Sequence, residues 1–95
     1  MRLVISVAAR LDLKSIARYT KTKRSASQTK AYLGMIAERF VQLRQRPKMG
    51  TAREDIAPGY RSLLAGRHLI FYRIAGNAIV VIRVLRQSMD AKLHF

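Results

Sequence analysis

The stretch HLIFYRIAGNAIVVIRVLR, residues 68 to 86, narrows the possible folds more than any other part of the chain. Two runs rich in Val, Ile, Phe and Tyr flank Gly76-Asn77, and a two-residue turn whose members tolerate positive φ joins antiparallel strands. With Gly76 and Asn77 as the loop, Ala75 faces Ala78. The register then predicts Tyr72 opposite Val81, Ile70 opposite Arg83 and His68 opposite Leu85. One face carries these six together with Ile74 and Ile79, and the other carries Leu69, Phe71, Arg73, Val80, Ile82, Val84 and Arg86. Both faces are largely apolar, so one covers helices while the other forms a concave site or a protein-binding surface.

The remaining elements follow from periodicity. Leu3, Ile5 and Val7 alternate with Val4 and Ser6 in a strand over residues 2 to 7. From about Ala8 the period lengthens: Ala9, Leu13, Ile16, Ala17 and Thr20 make one helical stripe, with Arg10, Lys14 and Arg18 away from it. That helix ends near KTKRSAS. Ser27 is read as the N-cap of a second helix, in which Leu33, Ile36, Phe40 and Leu43 form a seam flanked by Tyr32 and Ala37, and Pro47 with Gly50 stops it. Neither helix can bury its stripe alone, so the pair forms an antiparallel hairpin seated on a sheet. Residues 51 to 59 read as a loop, and YRSLLAG, joined through Gly66, supplies a further strand. The expectation is an α+β fold in a single domain over residues 1 to 95: N-terminal strand, antiparallel helix hairpin, three-stranded antiparallel sheet.

Charge bounds the function. Nineteen Lys and Arg, thirteen of them Arg, stand against five Asp and Glu, a net charge of +14. Such a field repels itself in the compact state and persists where something negative neutralises it: nucleic acid, anionic lipid or an acidic protein. With no cysteine, a disulfide scaffold, a thiolate zinc site and a Cys nucleophile are excluded. The longest apolar runs after the first strand, LIFY and AIVVI, are far too short to cross a bilayer, so a soluble protein of a reducing cytoplasm is expected.

Chemistry-bearing groups are few. His68 and His94 have no metal-ligating neighbour at helical spacing, so no metal site is expected. Ser88, Asp90 and His94 resemble a triad in composition, but no oxyanion-hole turn accompanies them. The glycines at 34, 50, 59, 66 and 76 build no phosphate loop, so no nucleotide cofactor is expected. Arg61, Arg73, Arg83 and Arg86 could clamp a phosphate, yet no general acid and base accompany them, and no catalytic residue is assigned. Arg83 lies mid-strand between Ile82 and Val84, where it is expected to be partly buried and paired with Asp90 or with backbone carbonyls. Arg86, three residues on, points to the opposite face at the strand's end, exposed to a partner.

The order of elements, together with PGYRSLLAGRHLIFYRI, IRVLRQSMD and ARLDLKSIARYT, resembles the ParE branch of the RelE/ParE toxin superfamily along essentially the whole chain. Pro58-Gly59-Tyr60-Arg61, the spaced Gly66, His68, Phe71 and Tyr72, and Arg83-Val84-Leu85 with Met89-Asp90 carry the resemblance. Members commonly have Trp-Gly between the helices, where this chain reads TKTKRSASQ, and His after RVL, where it has Arg86. The resemblance implies a type II toxin that inhibits DNA gyrase and blocks replication, held inactive by a ParD-like antitoxin. A ribosome-dependent mRNA endoribonuclease of the RelE kind and a non-toxic basic nucleic-acid-binding module are the alternatives. Candidate partner or target contacts are Arg61, Arg73, Arg86, Met89 and Phe95, with Arg83 and Asp90 as a structural ion pair.

Overall fold

The computed structural model describes all 95 residues. Strand β1 (Arg2–Ile5) leads into helix α1 (Val7–Lys23), and Arg24 and Ser25 alone separate it from α2 (Ala26–Gln45). A two-residue edge strand β2 (Thr51–Ala52) precedes β3 (Arg61–Ala65), β4 (His68–Ala75) and β5 (Ala78–Arg86), and a 3-10 turn at Ala91–His94 ends the chain. The antiparallel β3-β4-β5 meander is extended on both sides into a five-stranded mixed sheet, order β1-β5-β4-β3-β2, with β1 parallel to β5. Thr51 and Ala52 were expected in a loop; two residues are too few to show an alternation.

The N-cap of helix α2 lies two residues earlier than expected. Ser25, not Ser27, is the N-cap: its hydroxyl accepts from Gln28 N at 3.2 Å, and Gln28 Oε1 accepts from Ser25 N at 3.4 Å. This reciprocal box uses the Ser-x-x-Gln spacing, which Ser27 lacks. Ile36, Phe40 and Leu43 of α2 and Ala9 and Ile16 of α1 then meet Ile70, Tyr72, Ile79, Val81 and Val84 of the sheet in one core. Ala37, expected beside the seam, faces solvent.

The β4–β5 pairing follows the predicted register from Ala75–Ala78 to Tyr72–Val81 and then shifts, so that Phe71 pairs with Arg83, Ile70 with Val84 and His68 with Arg86. Ile82 is the extra residue of a β-bulge, and beyond it every side chain of β5 exchanges faces. Val84 turns into the core, whereas Arg83 and Leu85 join Leu69 and Phe71 on the outer face, from which Arg83 still reaches Asp12 of α1 at the sheet edge. Residues distant in sequence hold the bulge. Ser6, the N-cap of α1, donates its hydroxyl to Ile82 O at 2.7 Å and its N–H to Val81 O at 3.0 Å. Asp12, one turn and a half into α1, accepts the Val84 N–H at 2.9 Å, replacing the partner that β1 would supply had it not ended at Ile5.

The outer face is roofed at one end by the chain's own segments. Phe71, fully buried, packs edge-on against Phe95 with centroids 5.2 Å apart, and Phe95 meets Tyr60 at 5.7 Å. Arg53, paired with Asp55 at 3.0 Å, lies 5.2 Å from the Phe71 ring. On the helix side two tyrosines tie loops to the core. Buried Tyr72 accepts from Gly50 N at 3.0 Å and donates to Pro47 O at 2.7 Å; a Cβ at position 50 would lie 2.6 Å from its oxygen. Tyr32 accepts from Arg67 N at 3.0 Å, and its hydroxyl lies 2.6 Å from His68 Nδ1 and 3.4 Å from Ala65 O.

Two outcomes follow. Asp12→Ala is expected to destabilise the protein more than Arg83→Ala, itself costing about 1 to 3 kcal/mol, because losing the carboxylate strands both a guanidinium and the Val84 N–H. Urea melts of the two variants and their double measure this; an Asp12→Ala melt matching wild type would refute it. His68 is held below its ordinary pKa of 6.5 by burial first and by Arg86 second, with Asp12 opposing. The unfolded chain therefore takes up its proton before the folded one does. This contribution to stability should fall as pH drops below about 6.5 and level off under the folded pKa, and Arg86→Ala should shrink the fall. Melts between pH 7.5 and 5 test it, in a window above the range in which Asp55, lowered from 3.8 by its bond to Arg53, exchanges its proton.

Candidate functional site

The first half of α1 and the second half of β5 meet around Asp12. Both its oxygens accept from Arg83, from Nε and Nη2 at 2.8 Å each, and Arg83 Nη1 also donates to His94 O at 3.0 Å. A backbone carbonyl was among the expected partners, but the carboxylate is Asp12 and not Asp90, which caps the final turn, accepting the Lys92 N–H at 3.2 Å. The bulge is the reason, since it turns Arg83 out of the meander face and toward the sheet edge that α1 overhangs. Hydrogen bonding to Asp12 raises the Arg83 pKa against the cost of burial, so the guanidinium stays charged and committed. Asp12, Ser15, Arg83, Arg86, Met89 and His94 line a cavity of about 320 Å³ beside this pair.

The candidate contact residues do not form one patch. Arg86 and Met89 share that cavity, and Arg86 lies 5.2 Å from the Tyr19 ring on the helix side of the sheet. Arg73 and Phe95 belong to the outer face, where Arg73 is exposed and Phe95 is 45% exposed over Phe71. Arg61 stands next to Tyr72 across β3 and β4, on the helix face. The four arginines that could have clamped one phosphate are thus dispersed over both faces.

Two further surfaces carry no mark in a one-dimensional reading. Val4 on edge strand β1 and Val7 and Leu11 in the first turns of α1 are exposed apolar side chains, at 38%, 76% and 57%. At the far end of α1, a cleft of about 600 Å³ opens between the α1–α2 connection, the β3–β4 turn and the end of β5. Lys23, Arg24, Arg67 and Arg86 line it with Tyr19, Thr20, Gln28, Tyr32 and His68, and no carboxylate is among them. In the sequence, Lys23-Arg24 at the predicted helix end and Arg86 as a candidate contact signalled part of this cleft. No group of three or more His, Asp or Glu is placed to hold a metal ion, and no helix is long and apolar enough to cross a membrane.

Comparison with known proteins agrees with this architecture. Residues 3–91 match the family described as ParE toxin of type II toxin-antitoxin system, parDE. Toxin ParE1 of Mycobacterium tuberculosis is 37% identical over 90 residues, covering 94% of this chain and 92% of that protein. Toxin ParE1 of Caulobacter vibrioides is 33% identical over 90 residues, covering 95% and 93%. The fold is shared with a solved chain of the chromosomal ParDE TA system from P. aeruginosa, at TM-score 0.79 and 24% identity over 90% of this chain and 95% of that one. The bulged meander, the helix hairpin seated on it and the match along nearly the whole length together show that the chain belongs to the ParE toxin family of type II toxin-antitoxin systems.

Proposed function

We propose that this toxin acts in the cytoplasm by binding and inhibiting DNA gyrase, blocking replication, and that a ParD-like antitoxin neutralises it. The observation that carries the reading is the family match over residues 3–91. The dispersal of the arginines supports a binding mode of action over an RNA-cleaving one. Arg83 is bound to Asp12 and His94, Arg73 projects from the outer face, and Arg86 lies against Tyr19. In-line cleavage at a phosphate needs an acid and a base converging with such cations, and here the cations diverge.

The antitoxin reading draws on the surface. A segment that folds on binding takes its affinity from apolar anchors and its steering from charge. Val4, Val7 and Leu11 offer the anchors. The field is available because only Arg53 and Arg83, among 19 cations, are in ion pairs. Arg61, Arg73, Arg86, Met89 and Phe95 are the proposed contacts for antitoxin or target, on two separate faces.

Expression of the protein alone should arrest growth, with DNA synthesis failing before translation, and co-expression of the cognate antitoxin should restore growth. The purified toxin should inhibit supercoiling by gyrase and leave ribosome-bound message uncut. Early loss of translation with site-specific cuts would favour the RelE-type endoribonuclease instead. For the antitoxin complex, raising salt should slow association while leaving most of the affinity, since apolar burial is not screened. Arg86→Ala should keep the melting behaviour at neutral pH and weaken antitoxin or gyrase binding; titrations by calorimetry would show it.

A further inference from the structure

We infer that the cleft between the α1–α2 connection and the β3–β4 turn is a binding site for single-stranded nucleic acid, gripping its phosphodiester backbone with Lys23, Arg24, Arg67 and Arg86. This goes beyond gyrase and antitoxin, and does not depend on either.

The first argument is electrostatic. Four cations converge on one cleft, and the five carboxylates of the chain are placed elsewhere: Asp12 on Arg83, Asp55 on Arg53, Glu54 on Gly59 N, Asp90 on Lys92 N, and Glu38 on the exposed face of α2. No carboxylate lines the cleft. The backbone that carries two of the cations is anchored. Arg24 donates its N–H to Thr20 O at 2.8 Å at the end of α1, and the Arg67 backbone is tied to Tyr32 at 3.0 Å. Arg86 and Lys23 lie 5.2 and 5.9 Å from the Tyr19 ring. The hydrogen-bonding groups match an oxyanion: the guanidinium and ammonium heads only donate.

The second argument separates a nucleic acid from an acidic peptide. A protein segment needs apolar anchors, and no aliphatic side chain lines this cleft. What lines it besides cations is aromatic: Tyr19, 51% exposed, Tyr32 and the His68 ring. Cations that track a backbone beside exposed aromatic faces are the recognition chemistry of single strands, whose unpaired bases stack without regard to sequence. A duplex keeps its base faces covered and offers Tyr19 none to stack on.

The test is fluorescence anisotropy of purified protein with a labelled twelve-nucleotide oligo-dT at increasing salt. Binding is expected to weaken with salt at a log–log slope of about −2 to −3, the value for three or four phosphate contacts on a single strand. The double variant Lys23→Ala/Arg67→Ala should lose about ten-fold or more in affinity and flatten the slope by about 1.4. The double variant Arg10→Ala/Lys48→Ala removes the same charge from exposed positions outside the cleft and should lose no more than about two-fold. Tyr19→Leu, which retains every cation, should lose about five-fold, the low end of what one stacked base contributes. Circular dichroism melts establish that each variant is folded. The site is refuted if oligo-dT does not bind at low salt, or if both charge doubles lose affinity equally, which is the behaviour of a diffuse field. Unchanged binding by Tyr19→Leu, or tighter binding of duplex, refutes the single-strand assignment. A twelve-residue polyglutamate that binds as tightly as oligo-dT, and equally needs Lys23 and Arg67, would make the cleft an acidic-peptide site.

Discussion

The bulge at Ile82 decides which side chains the protein shows. A strand's alternation allows no compromise: one inserted residue sends all that follow to the other face. In β5 this brings Val84 under the helices, places Arg86 beside Tyr19, and turns Arg83 and Leu85 outward. The extra residue is tolerable because Ser6 and Asp12 satisfy the polar groups it disrupts, through Ile82 O and Val84 N. Asp12 serves two partners at once, since Arg83 needs a carboxylate where the bulge has left it. Helix α1, the bulge and the chain terminus, held through His94 O, therefore form one mechanical unit.

The excess of positive charge is then distributed by the fold instead of being cancelled by it. With acids scarce, each of the two ion pairs is spent on structure: Arg83 at the bulge and Arg53 over Phe71. The other cations remain for association, where a strong field accelerates encounter with a negative partner. Apolar and cationic surfaces lie at opposite ends of α1, with Val7 and Leu11 near its start and Lys23 and Arg24 at and just beyond its end. One helix thus separates a surface suited to folding a peptide from a surface suited to holding anions. The places where the sequence departs from the pattern it resembles, the helix connection and Arg86, meet at that cationic cleft.

Much of this was legible before any coordinates. The β4–β5 hairpin follows from Gly76-Asn77, and only Gly76 adopts positive φ. The helices follow from their stripes, and their connection from the polar run between them. Errors arose where a local rule had two solutions. Ser25 and Ser27 both suit an N-cap, and the reciprocal bond with Gln28 selects the first. Thr51 and Ala52 form too short a segment to carry a period. Asp90 is nearer to Arg83 in sequence than Asp12 is, but the bulge and the position of α1 make sequence distance irrelevant.

By itself, the sequence determined the element order, the two amphipathic helices, the antiparallel meander, the scarcity of acids and the resemblance to a toxin family. These are properties of period, turn chemistry and composition, each encoded within a few neighbouring residues. Tertiary structure alone decided the parallel pairing of β1 with β5, the bulge, the Asp12–Arg83 pair and the convergence of Lys23, Arg24, Arg67 and Arg86. Each of these joins residues from separate elements. Their energies depend on which polar group lacks a partner once the core has closed, and no local pattern records that.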